Sequence, residues 1–160
     1  MTTTARRNRM EAPSRSGIVI GVGMGGFVDG IVLHQIMQWH NMGSAVLPPT
    51  TMRAMKLNMT WDGLFHGATW IVTIAGIYLL LAHARGGRAL PSRAAFTGQL
   101  LLGWGAFNLV EGIVDHHLLG LHHVRDVPAH LPAYDWIFLA IGGIGLIAAG
   151  WLLARRAERP

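Results

Sequence analysis

The chain has 160 residues, a length that suits one domain. Hydrophobic residues make up 51% and charged residues only 13%, about half the charged share usual in a soluble domain. No cysteine is present, which excludes disulfides, thiolate metal sites and Cys nucleophiles. The formal net charge is +5, but the basic residues gather at the ends of apolar runs, so no nucleic-acid partner is expected.

Residues 1–16 form a polar, Arg-rich tail with no small-residue cleavage site after it, which reads as a cytoplasmic tail leading into a retained helix. From Gly17 to His40 the only formal charge is Asp29. This stretch opens with G-x-G-x-x-G at Gly21, Gly23 and Gly26, the pattern of a dinucleotide loop. Such a loop needs a βαβ unit and an acid about twenty residues on. Here that region reads Asn41-Met42-Gly43-Ser44. The glycines at 17, 21 and 25, and at 26 and 30, are instead spaced for close helix approach in lipid.

Three more apolar stretches follow, giving expected spans of about 17–40, 61–84, 94–118 and 134–154, with a tail over 155–160. Each is long enough to cross roughly 30 Å of hydrocarbon at about 1.5 Å per residue. With four spans, Arg6, Arg7, Arg9, Arg15, Arg85, Arg88, Arg93, Arg155, Arg156 and Arg159 share one face, against Arg53, Lys56 and Arg125 on the other. The basic face is the cytoplasmic one, so both termini are expected inside a bacterial inner membrane. Trp39, Trp61 and Tyr134 then mark the outer interface and Trp151 the inner one.

The chain also repeats itself. "DGIVLHQIMQWH" from Asp29 matches "EGIVDHHLLGLH" from Glu111 without a gap, 82 residues on, and "WDGLF" at Trp61 is echoed by "YDWIF" at Tyr134. The expected fold is therefore all-α: an integral membrane four-helix bundle of two tandem helix hairpins, parallel and related by a pseudo-twofold axis along the membrane normal. The segments "GFVDGIVLHQIMQWH", "WDGLFHGATW" and "NLVEGIVDHHLLGLHHVRD" resemble the signatures of a bacterial family of small predicted membrane proteins of unknown function. That resemblance implies a four-span inner-membrane protein and brings no activity with it.

The polar residues gather towards the outer end. His34, His66 and His116 each fall six residues inside an outer helix end, about 9 Å deep at 1.5 Å per residue, on three helices. Three histidines at one level suit a metal, and zinc, copper and iron all accept such ligands. Asp62 is four residues before His66, and His122 is eleven after Glu111, so the metal set reads His34, His66, His116, Asp62 and His122. Asp29, Glu111 and Asp115 are the candidate proton-moving acids. An ionised carboxylate near mid-bilayer costs roughly 2.5 kcal/mol or more, so Asp29 and Glu111 are expected to have a task.

At 100° per residue, the acid and histidine five apart on one helix lie about 140° apart and are expected to face different ways. Leu139 stands where the repeat would place a partner for His66, so one asymmetric centre is expected. Met42, Met52, Met55 and Met59 in the first outer connection lend copper slight weight. His117 reads as a neighbour that supports His116. His83 and His130 read as solvated. The residues leave open a metalloenzyme, a metal-handling protein, a haem b protein with His34 and His116 as axial ligands, a proton or ion relay, and a structural membrane protein. The lipid bilayer is the expected partner, and a second copy of the chain is a candidate one.

Overall fold

The computed structural model describes residues 14–157, so most of the N-terminal tail, with Arg6, Arg7 and Arg9, and the last three residues, with Arg159, lie outside the described residues. The described chain is all-helical, with four helices and no strand. We number them α1 (Ser16–Ile36), α2 (Met52–Arg85), α3 (Arg93–Glu111, continuing as Gly112–Leu118) and α4 (Pro132–Ala157).

Local chemistry sets the helix ends. Thr51 accepts from the Ala54 amide at the start of α2, and Ser92 does the same for Ala95 at the start of α3 (both 3.2 Å). Pro132 opens α4, where its missing N–H costs nothing. Helix α2 begins nine residues before the expected boundary at residue 61. Helix α1 stops at Ile36, and the chain turns at Gln38, held at φ +52°.

Among the described residues, three helices are long and apolar enough to cross a membrane: α1, α2 and α4. Helix α3 does not join them on that measure, where four spans were expected. It carries Gln99, Asn108, Glu111, Asp115, His116 and His117, and these dilute its apolar run. It is nonetheless central, packed along both α1 and α4, while α2 packs on α1.

Burial is inverted relative to a water-soluble bundle. Of the described hydrophobic residues only Ile20, Ala54, Val124 and Leu139 are buried, whereas three histidines are completely enclosed or nearly so. Trp70, Ile71, Tyr78, Ile141 and Ile144 face outwards. Lipid rather than water is the solvent that tolerates such a surface.

Close backbone approach holds α1 against α3. A Cβ on Gly21 would collide with the Leu100 carbonyl, and one on Gly103 with the Ile18 carbonyl. These two collisions are the same pair of positions exchanged, 82 residues apart. Gly17 N donates to Gln99 Oε1 (3.1 Å) across the same offset.

The α1–α2 and α3–α4 connections interlock over one end of the bundle. Ala45 N donates to the Leu121 carbonyl (3.1 Å), and Val127 N to the Trp39 carbonyl (2.9 Å). Ser44 Oγ donates to Asp126 Oδ2 (2.5 Å) between them. These bonds satisfy loop amides that would otherwise be stranded above the site.

Candidate metal centre

The site begins with a change of helix type. At Asp29 helix α1 switches from α to π bonding through Ile36, and α3 does so immediately after Glu111, over Gly112–Leu118. Bonds now run from residue i+5 to residue i, as Met37 N to the Val32 carbonyl and Leu119 N to the Val114 carbonyl (both 2.8 Å). Residues five apart therefore stand one above the other. This corrects the expectation that acid and histidine of one helix face different ways, which assumed α geometry throughout.

Asp29 Oδ2 lies 3.1 Å from His34 Nε2, and Glu111 Oε1 lies 2.9 Å from His116 Nε2. Two further imidazoles arrive from the loops. The chain folds back after each π segment, so that His40 Nε2 reaches to 3.8 Å from Asp29 Oδ1 and His122 Nε2 to 2.9 Å from Glu111 Oε1. His122 thus meets Glu111 as the eleven-residue spacing suggested, but from a returning loop rather than along a helical stripe. All four rings and both carboxylates are buried.

The rings pack directly on one another. Centroids are 4.4 Å apart for His34 and His40, 4.5 Å for His40 and His122, and 4.9 Å for His116 and His122.

The far nitrogen of three of the four rings is tethered. His34 Nδ1 donates to Asp62 Oδ1 (3.1 Å), His40 Nδ1 to the Val124 carbonyl (2.9 Å) and His122 Nδ1 to the Met42 carbonyl (3.3 Å). His116 Nδ1 lies 3.5 Å from Asp135 Oδ1, a longer approach. Asp62 and Asp135 are themselves fixed by the backbone amides of Met42 and Val124 (2.9 and 2.8 Å).

A carbonyl or carboxylate holding the Nδ1 proton leaves Nε2 as a lone pair. These lone pairs face carboxylates at about hydrogen-bond distance, and the Nε2 atoms of His34, His40 and His116 and both oxygens of Asp29 are buried without a hydrogen-bond partner. Lone pair facing lone pair is relieved by a cation between them, whether a metal ion or a proton on the imidazole. For His122, outside the helices, burial alone would lower the pKa, but the Glu111 carboxylate beside it holds it above the ordinary value.

Two groups in this region bring their ligand atoms within 4.8 Å of one another: His34, His40 and His122, and Glu111, His116 and His122. A third, nearer the surface, is His123, His130 and Asp135, with both histidines on Asp135 Oδ2 (3.0 and 3.1 Å).

The structure thus brings together His34, His116, His122, Asp29 and Glu111 from the sequence-derived set, and places Asp62 behind His34. His66 bonds the Asp62 carbonyl through Nδ1 (2.7 Å), its Nε2 abuts Gly30, and its ring is 6.5 Å from that of His34. Asp115 is half-buried beside His116 and belongs to no such group. His117 packs against Trp136, with ring centroids 4.8 Å apart and planes tilted by 36°, and His83 Nε2 donates to the Ala89 carbonyl (3.1 Å). Sequence reasoning missed His40 and Asp135. The repeat carried the signal for both, since His40 aligns with His122 and Asp135 with Asp62.

A cleft of about 370 Å³ opens beside His34, lined by Gln35, Gln38, Asn41, Pro49, Met55, Met59 and Val127. It brings two of the loop-proximal methionines to the edge of the site.

An all-helical chain with a lipid-compatible exterior and a buried His, Asp and Glu cluster that could hold a metal ion defines a membrane protein class. The chain belongs to the family described as "Predicted membrane protein (DUF2243)", which matches residues 16–157. No curated protein and no solved structure matches it.

Proposed function

We propose that this protein is a bacterial inner-membrane metalloprotein whose centre, near the outer face, binds zinc, copper or iron. His34, His40, His116 and His122 would supply imidazole nitrogens, and Asp29 and Glu111 carboxylate oxygens. Asp62 and Asp135 would orient His34 and His116, as outer partners of metal-bound histidines do. His66 would wall the site on the α2 side, and Asp115 would be free to move protons at its edge.

One observation carries the reading. Imidazole Nε2 lone pairs converge on two buried carboxylates while their Nδ1 atoms are held from behind. Imidazole and carboxylate together suit zinc and non-haem iron, and Met55 and Met59 in the adjoining cleft keep copper in play.

The paired contacts at an offset of 82 support a tandem of two parallel hairpins, with α3 crossing the membrane like the other three helices. Its burial between α1 and α4 explains how it tolerates more polar residues. With ten of thirteen basic residues on the terminal side, both termini are cytoplasmic in this proposal.

Whether the centre performs a reaction or passes metal on is a question of what enters the cleft. The haem alternative is disfavoured by the direct packing of His40 and His122 within the same cluster, which leaves no slot for a planar macrocycle. A proton relay is the second reading, since imidazolium protons would also relieve the facing lone pairs.

Elemental analysis of the full chain purified in mild detergent tests the proposal. Bound transition metal is expected, lowered roughly tenfold or more by His34→Ala and His122→Ala. His83→Ala should leave it unchanged. A metal-free wild type, or equal content in all the variants, overturns the metal reading, and a Soret band would restore haem.

A further inference from the structure

We infer that the centre takes two metal ions, one held by Asp29, His34 and His40 and the other by Glu111, His116 and His122. This rests on the metalloprotein reading and adds to it a second ion, against the single asymmetric centre that the sequence suggested.

The first argument is ligand number. Six buried donors divide by their contacts into two sets of two imidazoles and one carboxylate. That set is the ligand arrangement of non-haem iron sites, which leaves open positions on the ion.

Contacts to the two acids follow this division, and His122, whose ligand atom is also within 4.8 Å of those of His34 and His40, lies at the join. Asp29 is 3.1 and 3.8 Å from His34 and His40, while Glu111 is 2.9 Å from both His116 and His122. The two sets are contiguous, because the rings of His40 and His122 stack with centroids 4.5 Å apart and planes 14° from parallel.

Charge is the second argument. Asp29, Asp62, Glu111 and Asp135 are all buried around the four imidazoles. Four carboxylates without counter-charge are prohibitive in a low-dielectric interior, and the ion-pair partners found for them among the described residues are histidines. One divalent ion leaves half of that charge uncompensated. Two balance it.

The third argument is equivalence. Contacts of one set recur in the other 82 residues on: the π turn, the acid five residues before its histidine, and the loop histidine bonded through Nδ1 to the opposite loop's carbonyl. The carbonyls used, Val124 and Met42, are themselves 82 apart. An ion favoured by one set is favoured by the other. His66 and Leu139, which differ between the halves, stand outside both sets.

The test counts ions. The full chain is stripped in detergent, reloaded anaerobically with Fe²⁺ or with Mn²⁺, freed of excess, and assayed for metal per chain. A His130→Ala background keeps the surface group of His123, His130 and Asp135 from adding an ion. Two ions per chain are expected, falling to one in Asp29→Asn/His40→Ala and to one in Glu111→Gln/His116→Ala. The Mn²⁺ form of the unsubstituted sets is also read by electron paramagnetic resonance, so that misfolding of a variant does not decide the matter. Two close ions give an exchange-coupled spectrum. One ion per chain with an isolated-ion spectrum overturns the pair while leaving a metalloprotein, whereas no bound ion overturns the metal reading itself.

Discussion

Gln38 and Gly120 occupy equivalent turns, 82 residues apart, at φ +52° and +58°. A left-handed conformation costs a residue with a Cβ about 1–2 kcal/mol, so glycine is the ordinary choice and glutamine the exception. Gln38 lines the cleft beside His34, where its amide is available to whatever enters. Backbone strain kept at such a place is consistent with a role in the site. We expect Gln38→Gly to leave thermal stability in detergent unchanged or raise it by up to about 1 kcal/mol, the gain being reduced by glycine's greater unfolded-state freedom. Gly120→Ala should lower it by about 1 kcal/mol. At the same scale, Asp62→Asn and Asp135→Asn should weaken metal affinity roughly 10–100-fold without abolishing it, as read by chelator competition. An effect as complete as that of His34→Ala would make Asp62 a ligand, the role its position in the sequence first suggested.

At the scale of the helix, two features position the centre. The π segments stack an acid over the histidine five residues later, and the glycine after each acid lets a neighbouring helix close in. A Cβ at Gly30 would strike His66, and one at Gly112 would come within 2.8 Å of Leu139. Lower in the bundle, Gly21 and Gly103 admit the opposing backbone of α3 and α1. Backbone cannot move aside as a flexible side chain can. Gly21→Ala and Gly103→Ala should therefore each lower stability by about 1–3 kcal/mol. Gly67→Ala, with open space around it, should be neutral or stabilising by up to about 1 kcal/mol. Thermal unfolding monitored by circular dichroism in detergent separates these outcomes. Glycines needed only to lower helix propensity would give three similar changes.

For the whole molecule, orientation is the testable property. A C-terminal fluorescent fusion that matures only in the cytoplasm should be bright, and an alkaline phosphatase fusion at the same point inactive. A phosphatase placed after residue 88, between α2 and α3, should also be inactive, and one in the loop after α3 active. Activity at residue 88 would mean that α2 does not cross the membrane from outside to inside, and the two-hairpin arrangement would fall. The helices were legible in the sequence, whereas the orientation is an expectation from its charge pattern. Apolar runs bounded by arginine gave the helices, and Asp29 to His40 matched Glu111 to His122 closely enough to propose a duplication. Helix α3 is the exception, because its polar residues keep it below the apolar length of a span where four spans were expected.

The sequence by itself determined the helical class and the apolar, membrane-compatible composition, and it singled out His34, His116, His122, Asp29 and Glu111 but not His40 or Asp135, since composition and local spacing reach no further. It placed His66 at the level of His34 and His116, and that depth argument could not see which way each ring turns. Only the tertiary structure decided which groups meet. Asp29 reaches His34 because the helix there widens to π bonding, and His40 and His122 return because the α1–α2 and α3–α4 loops hydrogen-bond to each other across about 80 residues of chain. Neither contact has a signature in periodicity. The first depends on a helix departing from 3.6 residues per turn, and the second on distant backbone groups satisfying one another once the bundle has formed.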